Sequence, residues 1–256
     1  MIAPSFLLKT SALSLAMNLV RWDSEAFGFP VAQIEALQVN DAATAVSDFE
    51  KAWSWLDAGG VRLVSCRLHH ERFAESFFLE GEGFRFIEMV LHPQVACLSR
   101  FGLEEPGLSV VPAAEGDLTV LTAIAEAAFG CERYHIDPRV DSDQANVRYG
   151  NWVKSCLSHP RQLLFKVIDG EQVVALFVVE FLESGKVYWH LTAVAPHLQG
   201  KGFGWRAWRA MMHYHQAQGT DSIATTISAR NVRVLNLYAR LGFRFLPPEM
   251  TFHYAR

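Results

Sequence analysis

The sequence has few cysteines, four in 256 residues, and they stand far apart at positions 66, 97, 131 and 156. No two of them have the C-x-x-C spacing, which argues against a zinc site or a redox pair. Scattered cysteines in a chain of this length are typical of buried thiols in a reducing compartment. They predict a cytoplasmic protein.

Long apolar runs and blocks of like charge are also missing. The formal net charge is −4, and 23 basic and 27 acidic side chains are spread along the chain. No basic stretch indicates nucleic acid, and no apolar run has the length that crosses a bilayer. The mildly apolar start, Met1 to Val20, has no basic leader and is interrupted at Lys9 and Thr10, so we expect no signal peptide. Neither a nucleic acid nor a membrane is predicted as a partner.

Half of the residues are hydrophobic and a fifth are charged, which is enough for one large or two small globular domains. A turn-rich stretch at residues 100–117 separates two hydrophobic blocks and contains three glycines and two prolines. Because glycine and proline interrupt regular structure, we place a boundary there. The predicted domains are residues 1–105 and 106–256.

Hydrophobic periodicity predicts helices and strands in both blocks. Helices are predicted at 42–58, 74–80, 118–129, 144–157, 202–218 and 232–241. Strands are predicted at 61–68, 84–91, 162–168, 173–182, 186–195, 222–228 and 243–254, with a turn at Ser184–Gly185. The first helix presents one apolar face, made of Val46, Phe49, Trp53 and Leu56. This order indicates an α/β (α+β) fold with a central mixed, twisted sheet flanked by helices.

A short repeat connects the two blocks. Residues 83–86, Gly-Phe-Arg-Phe, are echoed at 242–245, and Glu-Met at 88–89 is echoed at 249–250. In both copies a predicted helix ends at the glycine and a strand begins with the phenylalanine. The repeat is either a coincidence or the trace of two related domains, the first of which has lost a glycine loop.

The second block contains a glycine loop between a predicted strand and a predicted helix. Its three alternating glycines are Gly200, Gly202 and Gly204. Glycines let the backbone N–H groups turn the same way with no Cβ in the path of a ligand, and the helix N-terminus attracts phosphate. Trp205 breaks the dinucleotide motif G-x-G-x-x-G, and Gly202 stands where a P-loop needs Ser or Thr. With these two motifs excluded, the pattern that the loop matches is Q-x-x-G-x-G, beginning at Gln199.

A second motif follows, in which Asn231 precedes Tyr238 by seven residues and Gly242-Phe243 comes next. Seven residues are close to two helical turns, so Asn231 and Tyr238 lie on one face of a helix. Gly242 stands where a left-handed C-cap is needed. Taken alone, Tyr238 would be a core aromatic residue with its hydroxyl at the surface.

Together the two motifs resemble the signatures of the GNAT superfamily of N-acetyltransferases, over about the last 140 residues, the size of one domain. The resemblance implies acetyl-CoA as cosubstrate, a pyrophosphate loop, a strand N–H near Val194 that polarises the thioester carbonyl, and no metal. In the family the asparagine bonds the pantetheine arm and the tyrosine protonates the departing thiolate, which are roles for Asn231 and Tyr238. The implied loop residues are Gln199, Gly200, Lys201, Gly202, Phe203 and Gly204.

Glu180 and His190, on neighbouring predicted strands, are candidates to accept the amine proton, and each can equally be a hydrogen-bonded strand residue. No G-x-S-x-G elbow and no Cys–His pairing is present, so we expect direct transfer rather than an acyl-enzyme. His213 and His215 stand two residues apart on a helix and face different ways, so we reject a metal site there.

Two further segments, residues 129–139 with the later Trp152 and residues 22–28, resemble the TDP-fucosamine N-acetyltransferase family. The second of them corresponds to that family's first strand and turn. This resemblance implies a nucleotide-linked amino sugar as the acceptor and a truncated GNAT-like N-terminal domain. The implied acceptor residues are Arg133, Tyr134 and His135.

Several alternatives stay open. The segment around residues 133–135 can be a surface loop capped by Asp137. The acceptor can be another small-molecule or protein amine, and the protein can be a non-catalytic acyl-CoA-binding module. A homodimer is also left open.

Overall fold

The computed structural model describes residues 5–183 and 185–256, and in these the chain forms twelve strands and eight α-helices. The strands are β1 (Ser5–Lys9), β2 (Leu13–Leu19), β3 (Val31–Val39), β4 (Leu63–His69), β5 (Arg85–Ala96), β6 (Leu108–Pro112), β7 (Gln162–Asp169), β8 (Gln172–Leu182), β9 (Lys186–Val194), β10 (Ser222–Thr225), β11 (Ile227–Ser228) and β12 (Arg244–Ala255). The helices are α1 (Arg21–Phe27), α2 (Ala42–Ala58), α3 (Phe73–Gly81), α4 (Leu118–Ala128), α5 (Arg133–Ile136), α6 (Ser142–Cys156), α7 (Phe203–Ala217) and α8 (Val232–Arg240). None of these helices combines the length and apolarity needed to cross a membrane.

The chain divides into two compact units. Unit 1 contains the chain up to Val90 together with Arg133–Arg148 and Pro247–Arg256. Unit 2 contains Leu91–Glu132 and Tyr149–Leu246. The units therefore do not follow the linear division at residue 105.

Strand pairing explains the difference. The last residues of β5 pair antiparallel with β10 in unit 2, with Ala96 opposite Ser222. The last residues of β12 pair antiparallel with β4 in unit 1, with Ala255 opposite Leu63. The turn-rich stretch is also part of unit 2, because β6 pairs with β7 and Leu103 is buried in the core of that unit.

Unit 1 is built on the strand order β1-β2-β3-β4-β12, in which only β3 and β4 run parallel. Helices α2 and α3 contribute Phe49, Leu56 and Phe78 to its main core. The predicted face of α2 needs one correction, because Val46 is 49% exposed and Ala45 and Ala52 are buried instead. The buried stripe of α2 is therefore Ala45, Phe49, Ala52 and Leu56, and it begins one residue before Val46.

The beginning of the chain differs from the sequence interpretation. Residues 22–28 were expected to form a strand and turn, but they form helix α1 and its C-cap Gly28, whose φ is 72°. The strand lies before them, where alternate residues Leu13, Leu15 and Met17 of β2 are buried. This period of two marks a half-buried strand, and the apolar start is therefore explained by β1 and β2.

Unit 2 is built on the end of β5 followed by β10-β9-β8-β7-β6. Strands β6 to β9 are antiparallel neighbours, and β9 runs parallel to β10. Helices α4, α6 and α7 supply Leu121, Val153 and Trp208 to one core with the buried middle of β8, residues 174–180. The predicted mixed sheet with flanking helices is confirmed.

The six predicted helices and seven predicted strands all occur, with small shifts at their ends. The segment 222–228 forms two strands, β10 and β11, instead of one. Sequence reasoning missed β1, β2, β3, β6, α1 and α5, which are short or lie near the start of the chain. Of the predicted turn at residues 184–185, Ser184 lies outside the described residues.

The short repeat has the same backbone structure in both copies. The glycine two residues after each helix is left-handed. It is Gly83 after α3, with φ 89°, and Gly242 after α8, with φ 84°. The next residue, Phe84 or Phe243, is buried and donates its N–H to the carbonyl five residues earlier. That earlier residue is Leu79 in the first copy and Tyr238 in the second. The first copy thus has the Schellman cap and lacks the tyrosine.

Candidate active site

The glycine loop has the open geometry that a ligand requires. After a 3-10 turn at Pro196–Leu198, Gly200 and Gly202 adopt φ values of 77° and 86°, and Gly202 is the N-cap of α7. A Cβ at either glycine would meet no described atom within 4 Å, so both face open space. Gly204 faces inward, where a Cβ would contact Leu237 at 3.6 Å and Val194 at 3.9 Å.

This loop presents donors and positive charge to that space. The first-turn N–H groups of α7, which begins at Phe203, have no partner within the helix, and the helix dipole adds partial positive charge. Lys201 is exposed in the loop, and the Gln199 side chain donates to the carbonyl of Val194 at 3.3 Å. The structure therefore brings the predicted loop residues together at one anion-attracting helix end.

Strands β9 and β10 separate beside this loop. Their parallel pairing ends at Trp189 opposite Thr225, and β11 pairs with β5. Residues 190–194 of β9 thus continue without a partner strand on that side among the described residues. The hydroxyl of Thr225 donates to the Trp189 carbonyl at 2.8 Å, and this is the last residue pair at which β9 and β10 are hydrogen-bonded neighbours.

The free edge of β9 carries backbone donors. Ala195 donates its N–H to the Val174 carbonyl on the β8 side, at 2.9 Å. Because N–H groups alternate sides along a strand, those of Thr192 and Val194 point to the open side. The expected strand N–H near Val194 therefore faces the gap.

Tyr238 reaches the same gap from α8. Its side chain is 1% exposed and its ring contacts Phe243, with 4.8 Å between the centroids. Burial raises the pKa of Tyr238, and interactions of its hydroxyl with the side chains of Trp208, Thr192 and Thr225 act in the opposite direction. These threonines stand where β9 and β10 part, so the hydroxyl is protonated and lies inside the opening rather than at the surface.

Asn231 lies at the N-cap of α8. Its side-chain oxygen accepts the N–H of Val234 at 3.3 Å, and the helix then carries Tyr238 two turns later. The predicted helix is thus present with Asn231 at its start. In this structure the asparagine caps a helix, and its predicted bond to pantetheine stays a prediction.

Glu180 and His190 form a pair. The Nε2 of His190 lies 2.8 Å from Glu180 Oε2, and Arg161 forms an ion pair with the other carboxylate oxygen. His190 is the extra residue of a β-bulge, because Val178 faces Leu191 while the next residue of β8 faces Trp189. The bulge turns His190 towards Glu180, and bulges often redirect side chains beside active sites.

The electrostatics of this pair favour a neutral imidazole beside an ionised carboxylate. Burial lowers the pKa of His190, and Glu180 partly opposes that change. Burial acts to raise the pKa of Glu180, but His190 and Arg161 together hold it below its usual value. A neutral His190 that donates from Nε2 to Glu180 keeps its lone pair on Nδ1, which leaves that nitrogen able to accept a proton.

Aromatic residues surround His190. The ring centroids of Tyr188 and Trp152 lie 4.7 Å and 6.1 Å from that of the histidine. Tyr188 donates its hydroxyl to Thr226 at 3.3 Å, and Trp152 donates its indole N–H to Gln162 at 2.9 Å. Sequence reasoning noted Trp152 and missed Tyr188, although its position two residues before His190 on a strand was a usable signal.

The three predicted acceptor residues lie in unit 1 and form internal contacts. Tyr134 is fully buried and donates its hydroxyl to Asp23 at 2.7 Å, while Arg133 lies 3.8 Å from the same carboxylate. His135 hydrogen-bonds with Asn146 at 2.8 Å. The alternative of a capped surface loop is wrong here, because Asp137 is 1% exposed and pairs with Arg139 and His253.

His213 and His215, at which a metal site was rejected, point to different surroundings. His213 is exposed, and His215 is buried and accepts the indole N–H of Trp189 at 3.0 Å. The sequence interpretation did not consider a second group, His69, His70 and Glu71, whose potential ligand atoms lie within 4.8 Å of one another. Two of these three residues are exposed. No ligand atom from another described strand or helix joins them in that group.

Comparison with known proteins agrees with this geometry. Residues 121–243 match the acetyltransferase (GNAT) family. The spore coat polysaccharide biosynthesis protein SpsD of Bacillus subtilis (strain 168) is 19% identical over 233 residues, which cover 91% of this chain and 79% of that protein.

Two solved structures show the fold. A functionally unknown conserved protein from Staphylococcus epidermidis ATCC 12228 aligns with a TM-score of 0.71 and 11% identity, covering 100% of this chain and 96% of its own. A tandem GNAT protein from the clavulanic acid biosynthesis pathway aligns with a TM-score of 0.63 and 12% identity, covering 98% and 82%. The family match over residues 121–243 supports an acyltransferase, and the two solved structures show that the fold extends over the rest of the chain.

Proposed function

We propose that the protein is an acetyl-CoA-dependent N-acetyltransferase that transfers the acetyl group directly to a primary amine. The observation that carries this proposal is the combination of an unfilled cradle at Gly200 and Gly202 with the adjacent gap between β9 and β10. A cradle that a Cβ would fill, at a helix N-terminus, suits a diphosphate. The gap suits an extended arm that pairs with a strand edge.

In this proposal the loop from Gln199 to Gly204 holds the pyrophosphate of acetyl-CoA, which supplies the acetyl thioester when bound. The N–H of Val194 or Thr192 stabilises negative charge on the thioester oxygen, because it faces the gap and has no described strand partner there. Asn231 would exchange its capping bond for one to the pantetheine arm.

Two side chains handle the protons. His190 takes a proton from the amine at Nδ1 while Glu180 holds Nε2, and the resulting imidazolium is stabilised by that carboxylate. Tyr238 gives its proton to the leaving thiolate from within the gap. Both groups are in the required protonation state near neutral pH, since burial favours a neutral imidazole and a neutral phenol.

For the acceptor we propose a nucleotide-linked amino sugar. Support comes from the resemblance at residues 129–139 and from SpsD, whose name places it in polysaccharide biosynthesis. The aromatic side chains of Tyr188 and Trp152 beside His190 suit the apolar face of a sugar ring. Among the predicted acceptor residues, the buried Tyr134 would act by holding its segment in place rather than by touching a sugar.

The free thiols of all four cysteines fit a protein that works in the reducing cytoplasm. The tandem GNAT protein with the same fold supports the idea that unit 1 is a truncated GNAT-like domain, as does the tyrosine-free cap at Gly83.

The direct test is release of free thiol from acetyl-CoA across nucleotide-linked amino sugars, with polyamines and a lysine-containing peptide as competing acceptors. We expect release with an amino sugar nucleotide and none with its N-acetylated form. Faster release with the peptide or polyamines would replace the sugar assignment. Tight CoA binding without release for any amine would support a non-catalytic module.

A further inference from the structure

A cavity of about 450 Å³ opens in unit 1, and none of the residues assigned above to the acetyl-transfer chemistry lines it. Its walls come from the C-terminus of α1, the start of β4, the loop before α6 and the end of β12. The volume is within the range of small-molecule sites. Among its wall residues are the guanidinium groups of Arg62, Arg139 and Arg256 and one carboxylate, Asp141.

The three guanidinium groups differ in how they are held. Arg139 is fixed by two hydrogen bonds of 2.9 Å to Asp137 and by one to the His253 carbonyl, and Arg256 forms an ion pair with Asp57. Arg62 has no carboxylate partner among the described residues, and its guanidinium lies 4.7 Å from the Phe29 ring centroid. Arg139 and Arg256 are held in place by carboxylates that compensate their charge, so Arg62 is the cation that favours an anionic group in this cavity.

The floor of the cavity is apolar and aromatic. Phe27 and Phe29 line it, with their ring centroids 5.8 Å apart, beside Leu63 and Ala255. The stacked pair of Phe29 and Arg62 presents a flat face of the kind on which a planar ring can lie. A ligand that fits both features has a phosphate and a planar ring.

An independent observation lies further along the same sheet face. Leu63 and Ala255 are opposite each other, and two residues further along the paired strands Ser65 is opposite His253. Because side chains alternate, Ser65, Thr251 and His253 share the face that forms the floor. The Ser65 hydroxyl, the Thr251 hydroxyl and His253 Nε2 are fully buried and lack a hydrogen-bond partner among the described residues, and they lie behind the residues that line the cavity.

We propose that this cavity binds a nucleoside diphosphate, with the phosphates at Arg62 and Arg256 and the base on the Phe29 side. The choice of this ligand rests on the proposed function, because a nucleotide-linked sugar carries such a group. The guanidinium groups recognise phosphate as bidentate donors.

The test measures dTDP binding to the full chain by calorimetry, without acetyl-CoA. Arg62→Ala should weaken binding by about tenfold or more, as expected for the loss of one charge-assisted contact. Arg21→Ala is the matched control, since Arg21 is an exposed arginine of the same unit paired only at its surface with Glu25. Pyrophosphate should bind more weakly than dTDP, and thymidine more weakly still. Unchanged melting temperatures would show that the variants fold.

The possible failures are distinguishable. No dTDP binding, or equal affinity in wild type and in both Arg62→Ala and Arg256→Ala, would overturn the cavity assignment even if acetyl transfer to an amine is observed. Displacement of dTDP by CoA would also overturn it, because the two ligands would then share one site. Arginine-dependent dTDP binding with no thiol release for any amine would support the cavity and contradict the proposed function.

Discussion

Tyr238 is a residue whose burial decides how it can act. Burial raises the pKa of its hydroxyl, whose neighbouring side chains are Trp208 of α7 and, at the gap between β9 and β10, Thr192 and Thr225. Replacing it with phenylalanine keeps the packing against Phe243 and removes only the proton donor. Tyr238→Phe should therefore lower kcat by about 10²-fold, the usual contribution of a general acid, with CoA affinity unchanged.

Steady-state kinetics and calorimetry with CoA check this prediction. Tyr214→Phe is a control, because this tyrosine lies on α7 and contacts Phe165 in the same core. An unchanged kcat for Tyr238→Phe would remove the tyrosine from the proton transfer.

His190 and Glu180 make a pH-dependent prediction. The neutral imidazole is the base, so kcat/KM should fall as pH drops through the pKa of His190, which burial places below its usual value. Glu180 opposes that lowering, so Glu180→Gln should move the acid limb to still lower pH and also reduce the plateau through lost orientation.

A pH–rate profile of kcat/KM measures both effects. The exposed Glu183→Gln, just beyond the end of β8, should leave the profile in place. A limb that stays at the same pH in Glu180→Gln would assign the base elsewhere. His190→Gln should lower the plateau by about 10²-fold.

At the scale of elements, the loop before α7 depends on the absence of a side chain at Gly202. Gly202 has φ 86°, and a Cβ at this position would have no described atom within 4 Å, so an added side chain would meet only the ligand. Gly202→Val should abolish CoA binding. Gly170→Ala tests backbone strain alone, since this glycine has φ 58°, also faces open space and lies in the turn between β7 and β8.

Calorimetry with CoA compares the two variants, and thermal melting reports their folding. Loss of binding in Gly202→Val but not in Gly170→Ala would assign the effect to the cradle. Normal CoA binding by Gly202→Val would refute the loop as the pyrophosphate site.

Elements were predicted best where the signal is local. Helix α2 was predicted with its observed ends because its apolar residues recur at helical spacing, and in the structure Asp41 caps its N-terminus. Helix α1 was missed because it has only seven residues and no side-chain cap. The bulge at His190 was not predictable from sequence, since a bulge depends on the register with the neighbouring strand.

At the scale of the whole molecule, the linear halves are not the compact units. Deleting residues 1–105 would remove the end of β5, which pairs with β10, and would leave residues 133–148 and 247–256 without the rest of unit 1. The fragment 106–256 should therefore expose apolar surface and fail to reach a unique fold.

Near-ultraviolet circular dichroism and amide NMR spectra of the fragment test this prediction against the full chain. Dispersed spectra and retained acetyl transfer would show instead that the C-terminal half is self-sufficient. Loss of near-ultraviolet signal with retained far-ultraviolet signal is the expected result, because local helices outlast specific packing.

The sequence by itself determined the glycine loop, the Asn231–Tyr238 spacing and most helices and strands, because periodicity and turn chemistry act over a few residues. Tertiary structure alone decided that β9 and β10 part at Trp189, that His190 meets Glu180, and that residues 133–148 and 247–256 complete unit 1. Strand pairing and burial join residues far apart in the chain, where local patterns carry no information about which partner is chosen.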